Sequence, residues 1–129
     1  MRGFYYLKGL MIILVLAFPM LAQKKDCPPY NPESKIYRPK EVDKKAHITR
    51  KPSPDFTEEA RRSGMSGRVV IQLVLAANGE VTNIRTIAGL PDGLTEQAIK
   101  AAHQIEFRPA IKDGCPVSQY LRVEYNFSR

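Results

Sequence analysis

Cys27 and Cys115 are the two cysteines, and His47 and His103 the two histidines, of a 129-residue chain. Nucleophilic catalysis needs a nucleophile, a base in reach and a group that orients the base. No Ser/His/Asp set shows that order, and neither cysteine has a nearby histidine to activate its thiol. Metal-ligand spacing and a glycine-rich phosphate loop are likewise missing from the sequence. His47 stands among lysines and His103 beside Ala102 and Gln104, as surface or rim residues do. The reading is a protein without catalytic residues, cofactor or metal, so its chemistry is binding. The cysteines offer one intrachain pairing, which an oxidising compartment favours. Such a bridge would close a loop of nearly ninety residues and contribute about 4 kcal/mol by restricting the unfolded chain. The alternative is two unpaired thiols.

Charge is the second chemical feature. Lys24, Lys25, Lys35, Arg38, Lys40, Lys44, Lys45, Arg50 and Lys51 stand against four acidic residues between Gln23 and Lys51, and Pro52 to Arg129 is balanced at nine of each sign. Most of the formal net charge of +7 therefore belongs to an arm of residues 23–51. A basic arm on a neutral domain suits an anionic envelope surface, or simply a solvated segment. Nucleic acid is a poor partner, since no aromatic residues interleave a basic face.

The N-terminus bears on compartment. Arg2 and Lys8 precede an apolar core from Leu10 to Phe18, the pattern of an export signal, with a cut after Ala22 as the expected processing site. The competing reading keeps Phe4 to Ala22 as a short membrane anchor. Either way the rest of the chain is expected in the periplasm.

Residues 52–129 are expected to position whatever binds. Pro54 or Asp55 to Ser63 reads as a helix, with acidic residues at its start, Arg61 and Arg62 at its end and Gly64 as its stop. Gly67 to Ala76 alternates Val69, Ile71, Leu73 and Leu75 on one face of a strand. Asn78-Gly79 predicts a two-residue type I′ hairpin, returning a second strand from Glu80 to about Ala88. Thr95 is the expected cap of a second helix, with Leu94, Ala98, Ile99, Ala102 and Ile105 on its apolar stripe. Phe107 to Ala110 is extended, and Lys112-Asp113-Gly114 turns the chain. In the last strand Val117, Leu121, Val123, Tyr125 and Phe127 face one way, and Ser118, Tyr120, Arg122, Glu124 and Asn126 the other. The expected fold is α+β: a three-stranded antiparallel sheet with two helices packed on one face. Ile36 to Asp43, with Pro39 inside it, reads as an edge strand or a strap on that domain.

Five short motifs in this order carry a family resemblance. Phe56-Thr57 stands where a Tyr-Pro opens an Ala/Arg/Glu-rich helix, and Gly67-Arg68-Val69 and Gly79-Glu80-Val81 supply two Gly-x-Val steps. Phe107-Arg108-Pro109 supplies an aromatic-x-Pro, with Ile105 in place of a Trp, and Tyr125-Asn126-Phe127 closes the last strand. From Pro52 onward the chain resembles the C-terminal domain of TonB-type energy transducers.

The resemblance implies that a short extended peptide of an outer-membrane transporter adds as a strand beside the last strand, where main-chain hydrogen bonds give affinity and alternate side chains give selectivity. Here that edge would run from Val117 to Phe127, with Ser118, Tyr120, Arg122, Glu124 and Asn126 as the polar set. A bare edge needs cover or a user. Tyr37 to Val42 is a candidate cover, and a second copy pairing along the edge a candidate user. Two departures count against force transfer: the apolar segment has no histidine, and Asp26 to Arg50 spans only roughly 80 Å when fully extended. The alternative function is a soluble periplasmic module docking to the cell wall or envelope surface through its basic arm.

Overall fold

Alternation of branched apolar residues buries one face of the strand Gly67–Leu75, leaving Val69, Ile71, Leu73 and Leu75 at 0% exposure. The computed structural model describes residues 25–128, so the apolar N-terminal segment and Lys24 lie outside the described residues. Among the described residues no helix is long and apolar enough to cross a membrane.

In chain order the elements are β1 (Ile36–Tyr37), a 3-10 turn (Pro39–Glu41), β2 (His47–Arg50), α1 (Glu58–Ser63), β3 (Gly67–Leu75), β4 (Val81–Ala88), α2 (Leu94–His103), β5 (Glu106–Arg108), β6 (Ala110–Lys112) and β7 (Cys115–Phe127). The principal sheet has the order β1-β7-β3-β4, with β6 also paired to β7, and β2 and β5 form a separate two-stranded ribbon. The expected three-strand antiparallel unit is present within it as β7-β3-β4. Three strands are too few, however: β1 joins β7 in parallel, and β6 folds back on it. The core gathers Ala60 of α1, Leu94, Ala98, Ala101 and Ala102 of α2, and the apolar residues of β3 and β7.

Both helices start differently from expectation. α1 begins at Glu58, because Thr57 is extended and its Oγ1 accepts the Ala60 N–H at 3.1 Å. Its hydroxyl also donates to the Asp92 carbonyl at 2.6 Å, which ties the helix start to the loop before α2. Thr57→Ala is expected to cost about 1–2 kcal/mol, most of it restored by serine, as read by urea unfolding. α2 begins at Leu94 after Gly93, and Thr95 caps nothing; its Oγ1 accepts the Leu90 N–H and donates to the Leu90 carbonyl, both at 2.8 Å.

The hairpin turns are also redistributed. Ala76 N–H donates to Glu80 and Gly79 N–H to Ala76, so three residues, 77–79, connect β3 to β4. Only Gly79, at φ +92°, is left-handed there, while Asn78 is not. That is a type I turn with a glycine bulge rather than the expected type I′ turn. Asp113 and Gly114, at φ +52° and +79°, both left-handed between the paired Lys112 and Cys115, supply the type I′ turn instead.

Candidate functional site

The side of β7 turned away from β3 is where the sequence placed a partner. β3 pairs with β7 continuously from Gly67↔Phe127 to Leu75↔Gln119. On the opposite side β1 pairs in parallel at Ile36↔Ser118 and Tyr37↔Gln119. From Tyr120 to Phe127 no strand pairs on that side among the described residues, an open stretch of about 25 Å at strand rise.

This geometry divides the predicted residues. Val117 is half-buried and paired with Ala110. Ser118 is buried, its Oγ accepting the Ala77 N–H at 3.0 Å, so it cannot read an incoming side chain. Tyr120, Arg122, Glu124 and Asn126 are exposed along one face of the open stretch, with Glu124 3.4 Å from Arg68. Ile36 and Tyr37 pair with the edge only at Ser118 and Gln119, and Pro39–Glu41 continues as a 3-10 turn rather than a strand. β4, expected as the second strand, is also an outermost strand, an edge that the sequence reading did not weigh. Register shifts against β3 and a positive φ at Asn83 kink it, a geometry that discourages pairing with another chain.

Three features of the site escaped the sequence reading. Lys51 Nζ donates to the Glu124 carbonyl at 2.9 Å and lies 4.8 Å from the centre of the Tyr125 ring. Lysine on an unpaired edge is a common guard against unwanted strand addition. Gln119 is 2% exposed and its Oε1 accepts the Ala46 N–H at 2.9 Å, anchoring the arm to β7. Tyr125 turns its hydroxyl into the interior, where it has no partner among the described residues. An amide inside the last strand's alternation hinted at Gln119; nothing in the sequence singled out Lys51 from the other lysines.

Burial pushes the Tyr125 phenol up to about 12. Because the folded value lies above the ordinary value of 10.0, its contribution to stability is whole below pH 10 and is lost as pH rises through about 12. Tyr125→Phe is expected to leave the fold as stable or more so, since it removes an unpartnered buried hydroxyl, and to remove this alkaline loss. Urea midpoints between neutral and alkaline pH check both.

The basic arm is built into the fold. Cys27 is bonded to Cys115, with the Cα atoms 5.5 Å apart. Lys25 donates to the Asp113 carbonyl, and Lys35 and Lys112 both approach the Tyr37 ring, at 4.9 and 5.7 Å. The Glu41 carboxylate accepts the Arg38 N–H at 2.7 Å. That bond above all, against desolvation and with help from Lys35, Arg38 and Lys40, holds Glu41 below the usual carboxylate range. Arg50 pairs with Glu106 at 3.6 Å. Among the described residues the side chains of Lys44 and Lys45 have no such partners. Between the strap and β7, Pro28, Pro29, Tyr30, Tyr37 and Val117 line a cleft of about 290 Å³. No group of three or more His, Cys, Asp or Glu residues that could hold a metal occurs among the described residues.

Comparison with known proteins follows the same lines. The family described as Gram-negative bacterial TonB protein C-terminal matches residues 52–128. The TonB protein of Vibrio cholerae serotype O1 is 29% identical over 87 residues, 67% of this chain but 36% of that protein, so the chain spans about a third of its relative's length. The solution NMR structure of the Pseudomonas aeruginosa TonB CTD superposes with a TM-score of 0.57 at 18% identity, covering 74% of this chain and 96% of that one, a likeness of fold. The TonB2 protein of Vibrio anguillarum gives a TM-score of 0.44 at 17% identity, over 84% and 99% of the two chains. With its motifs in family order, its two helices against a curled sheet and the family match over more than half its length, the chain belongs to the Gram-negative bacterial TonB protein C-terminal family.

Proposed function

We propose that this protein works in the periplasm by capturing an extended peptide of an outer-membrane transporter, which adds as a strand on Tyr120–Phe127. One observation carries the reading: β7 already accepts a parallel strand, β1, on the side concerned, and no strand pairs with the next eight residues of that side among the described residues. The Glu124 carbonyl, reached there by Lys51, faces out of the β3 ladder. Alternation along an antiparallel strand then turns the main-chain groups of Tyr120, Arg122 and Asn126 outward with it. Those groups would supply the affinity, and the exposed side chains of Tyr120, Arg122, Glu124 and Asn126 the selectivity.

Lys51 competes for the same carbonyl, so an incoming strand must displace it. Lys51→Met is expected to raise peptide affinity a few-fold, since one hydrogen bond to a charged donor no longer has to be broken. Fluorescence anisotropy checks this with peptides from the N-terminal regions of outer-membrane transporters of the same genome. Unchanged affinity would show that Lys51 does not guard the edge. NMR titration tests the whole reading: peptide-induced shifts should concentrate on the amides of Tyr120 to Phe127, and shifts confined to β4 would move the site to the other edge.

Energy coupling depends on residues 1–22. A membrane-bound product that keeps them favours a short transducer. A soluble product beginning at Gln23, lighter by two hydrogens for the closed disulfide, leaves peptide capture without force transfer. Intact mass after cell fractionation separates the two.

A further inference from the structure

Lys44, Lys45, His47 and Arg108 line one groove of about 480 Å³ together with Ala46, Pro109 and Ile111. These cationic and imidazole groups come from different parts of the chain, and the backbone fixes them. Lys44 exchanges both main-chain hydrogen bonds with Ile111, at 3.0 and 2.8 Å. His47 and Arg108 are directly opposed in the β2–β5 ribbon, which places their side chains on one face.

The surroundings make this cluster unlike the rest of the arm. Lys25, Lys35, Arg50 and Lys51 each have a carbonyl, a ring or a carboxylate as partner, and Lys35, Arg38 and Lys40 surround Glu41. The side chains of Lys44, Lys45, His47 and Arg108 take part in no hydrogen bond or ion pair among the described residues, and no carboxylate lines their groove. The neighbouring pair on the ribbon, Arg50 and Glu106, is neutralised within itself. Two lysines and an arginine brought to one groove with no counter-charge repel one another unless an anion comes between them.

We propose that this groove binds the phosphate of an anionic phospholipid headgroup. A single carboxylate would be satisfied by Arg108 alone and would leave two lysines unpaired. A phosphate offers several acceptor oxygens, which suit the forked guanidinium and two point charges together. The apolar part of the lining, Ala46, Pro109 and Ile111, suits an ester with a greasy body better than a free ion. The groove lies on the β2–β5 ribbon and none of Tyr120–Phe127 lines it, so the proposal does not rest on peptide capture.

The test compares sedimentation of the chain, as isolated from the cell envelope, with vesicles of phosphatidylglycerol in phosphatidylcholine and with phosphatidylcholine alone. An N-terminal anchor would insert in both, so the readout is the difference between them. Replacing Lys44, Lys45 and Arg108 by glutamine is expected to weaken that difference by roughly a hundredfold, from the usual worth of three basic residues at an anionic surface. A control with the same charge loss elsewhere, Lys35→Gln, Lys40→Gln and Arg62→Gln, is expected to keep most of it. Equal loss in the control would overturn the proposal, because net charge alone would then explain binding. Inorganic pyrophosphate is the second arm, followed by the amide signals of residues 44–47 and 108–111. Shifts there without any preference for anionic vesicles would overturn the lipid assignment, as would no response to either probe. All replaced residues are exposed, and circular dichroism confirms that each variant is folded. Retained peptide binding by the groove variant separates this outcome from failure of the edge reading.

Discussion

Replacing Cys27 and Cys115 together by serine is expected to lower the stability of the native fold by about 4 kcal/mol. The bond joins positions 88 residues apart with Cα atoms 5.5 Å from each other, within the usual range for a disulfide. Its long loop makes the restriction of the unfolded chain large, and few other contacts offset its loss. Among the described residues the segment that it fastens is otherwise held by a two-residue strand, β1, by the main-chain pairing of Lys44 with Ile111 and by exposed bonds such as that from Lys25 to Asp113. The melting temperature should fall by roughly 20 °C for a fold of this size. Hydrogen exchange adds a local readout: the amides of Ile36, Tyr37 and Lys44 should lose protection before those of β3. A serine pair with a wild-type urea midpoint would mean that the strap is ordered without its bond. Cys27→Ser alone leaves a free thiol at Cys115, so the double variant is the cleaner measurement.

The second large effect concerns Arg122. Arg122→Pro is expected to reduce peptide affinity by at least about tenfold, because it removes one outward N–H and puts a ring in the path of the incoming strand. The N–H that it removes faces away from β3, so the β3 ladder stays intact and unfolding should shift only modestly, as for proline on an edge strand. Arg122→Ala keeps the main-chain donor and discards the side chain. Equal losses in the two variants would assign the effect to the guanidinium, whereas a loss in proline alone would identify main-chain pairing. Wild-type affinity in the proline variant would rule out strand addition at this edge. Isothermal titration with a transporter peptide, beside a urea curve for each variant, distinguishes these outcomes.

Much of the scaffold was legible in the chain because the relevant signals are local. Val69, Ile71, Leu73 and Leu75 alternate, and so do Val123, Tyr125 and Phe127; both sets are buried as that alternation requires. The apolar stripe of α2 follows from helical spacing in the same way. Turn dipeptides were less reliable. Asn78-Gly79 and Asp113-Gly114 look alike, yet only the second forms the two-residue turn, since the pairing of Ala76 with Glu80 leaves three residues in the first connection. Ser118 was misread because alternation places it correctly on its face but says nothing of Ala77 and β1 covering it.

The sequence by itself determined the core-facing residues of the long strands, the single intrachain cysteine pairing, the concentration of excess positive charge in residues 23–51 and the family order of motifs from Pro52 onward. Periodicity and composition suffice for these, because each depends on neighbouring residues or on counting. Only the tertiary structure decided which part of β7 stays open, which cations remain unpaired and that the arm is part of the fold. A two-residue strand such as β1 has no periodicity to read, and its pairing with Ser118 and Gln119 joins segments some eighty residues apart. The same holds for Lys51 at Glu124 and for Lys44 beside Arg108: each partnership is fixed when distant segments compete for the same edge, a competition that no local pattern encodes.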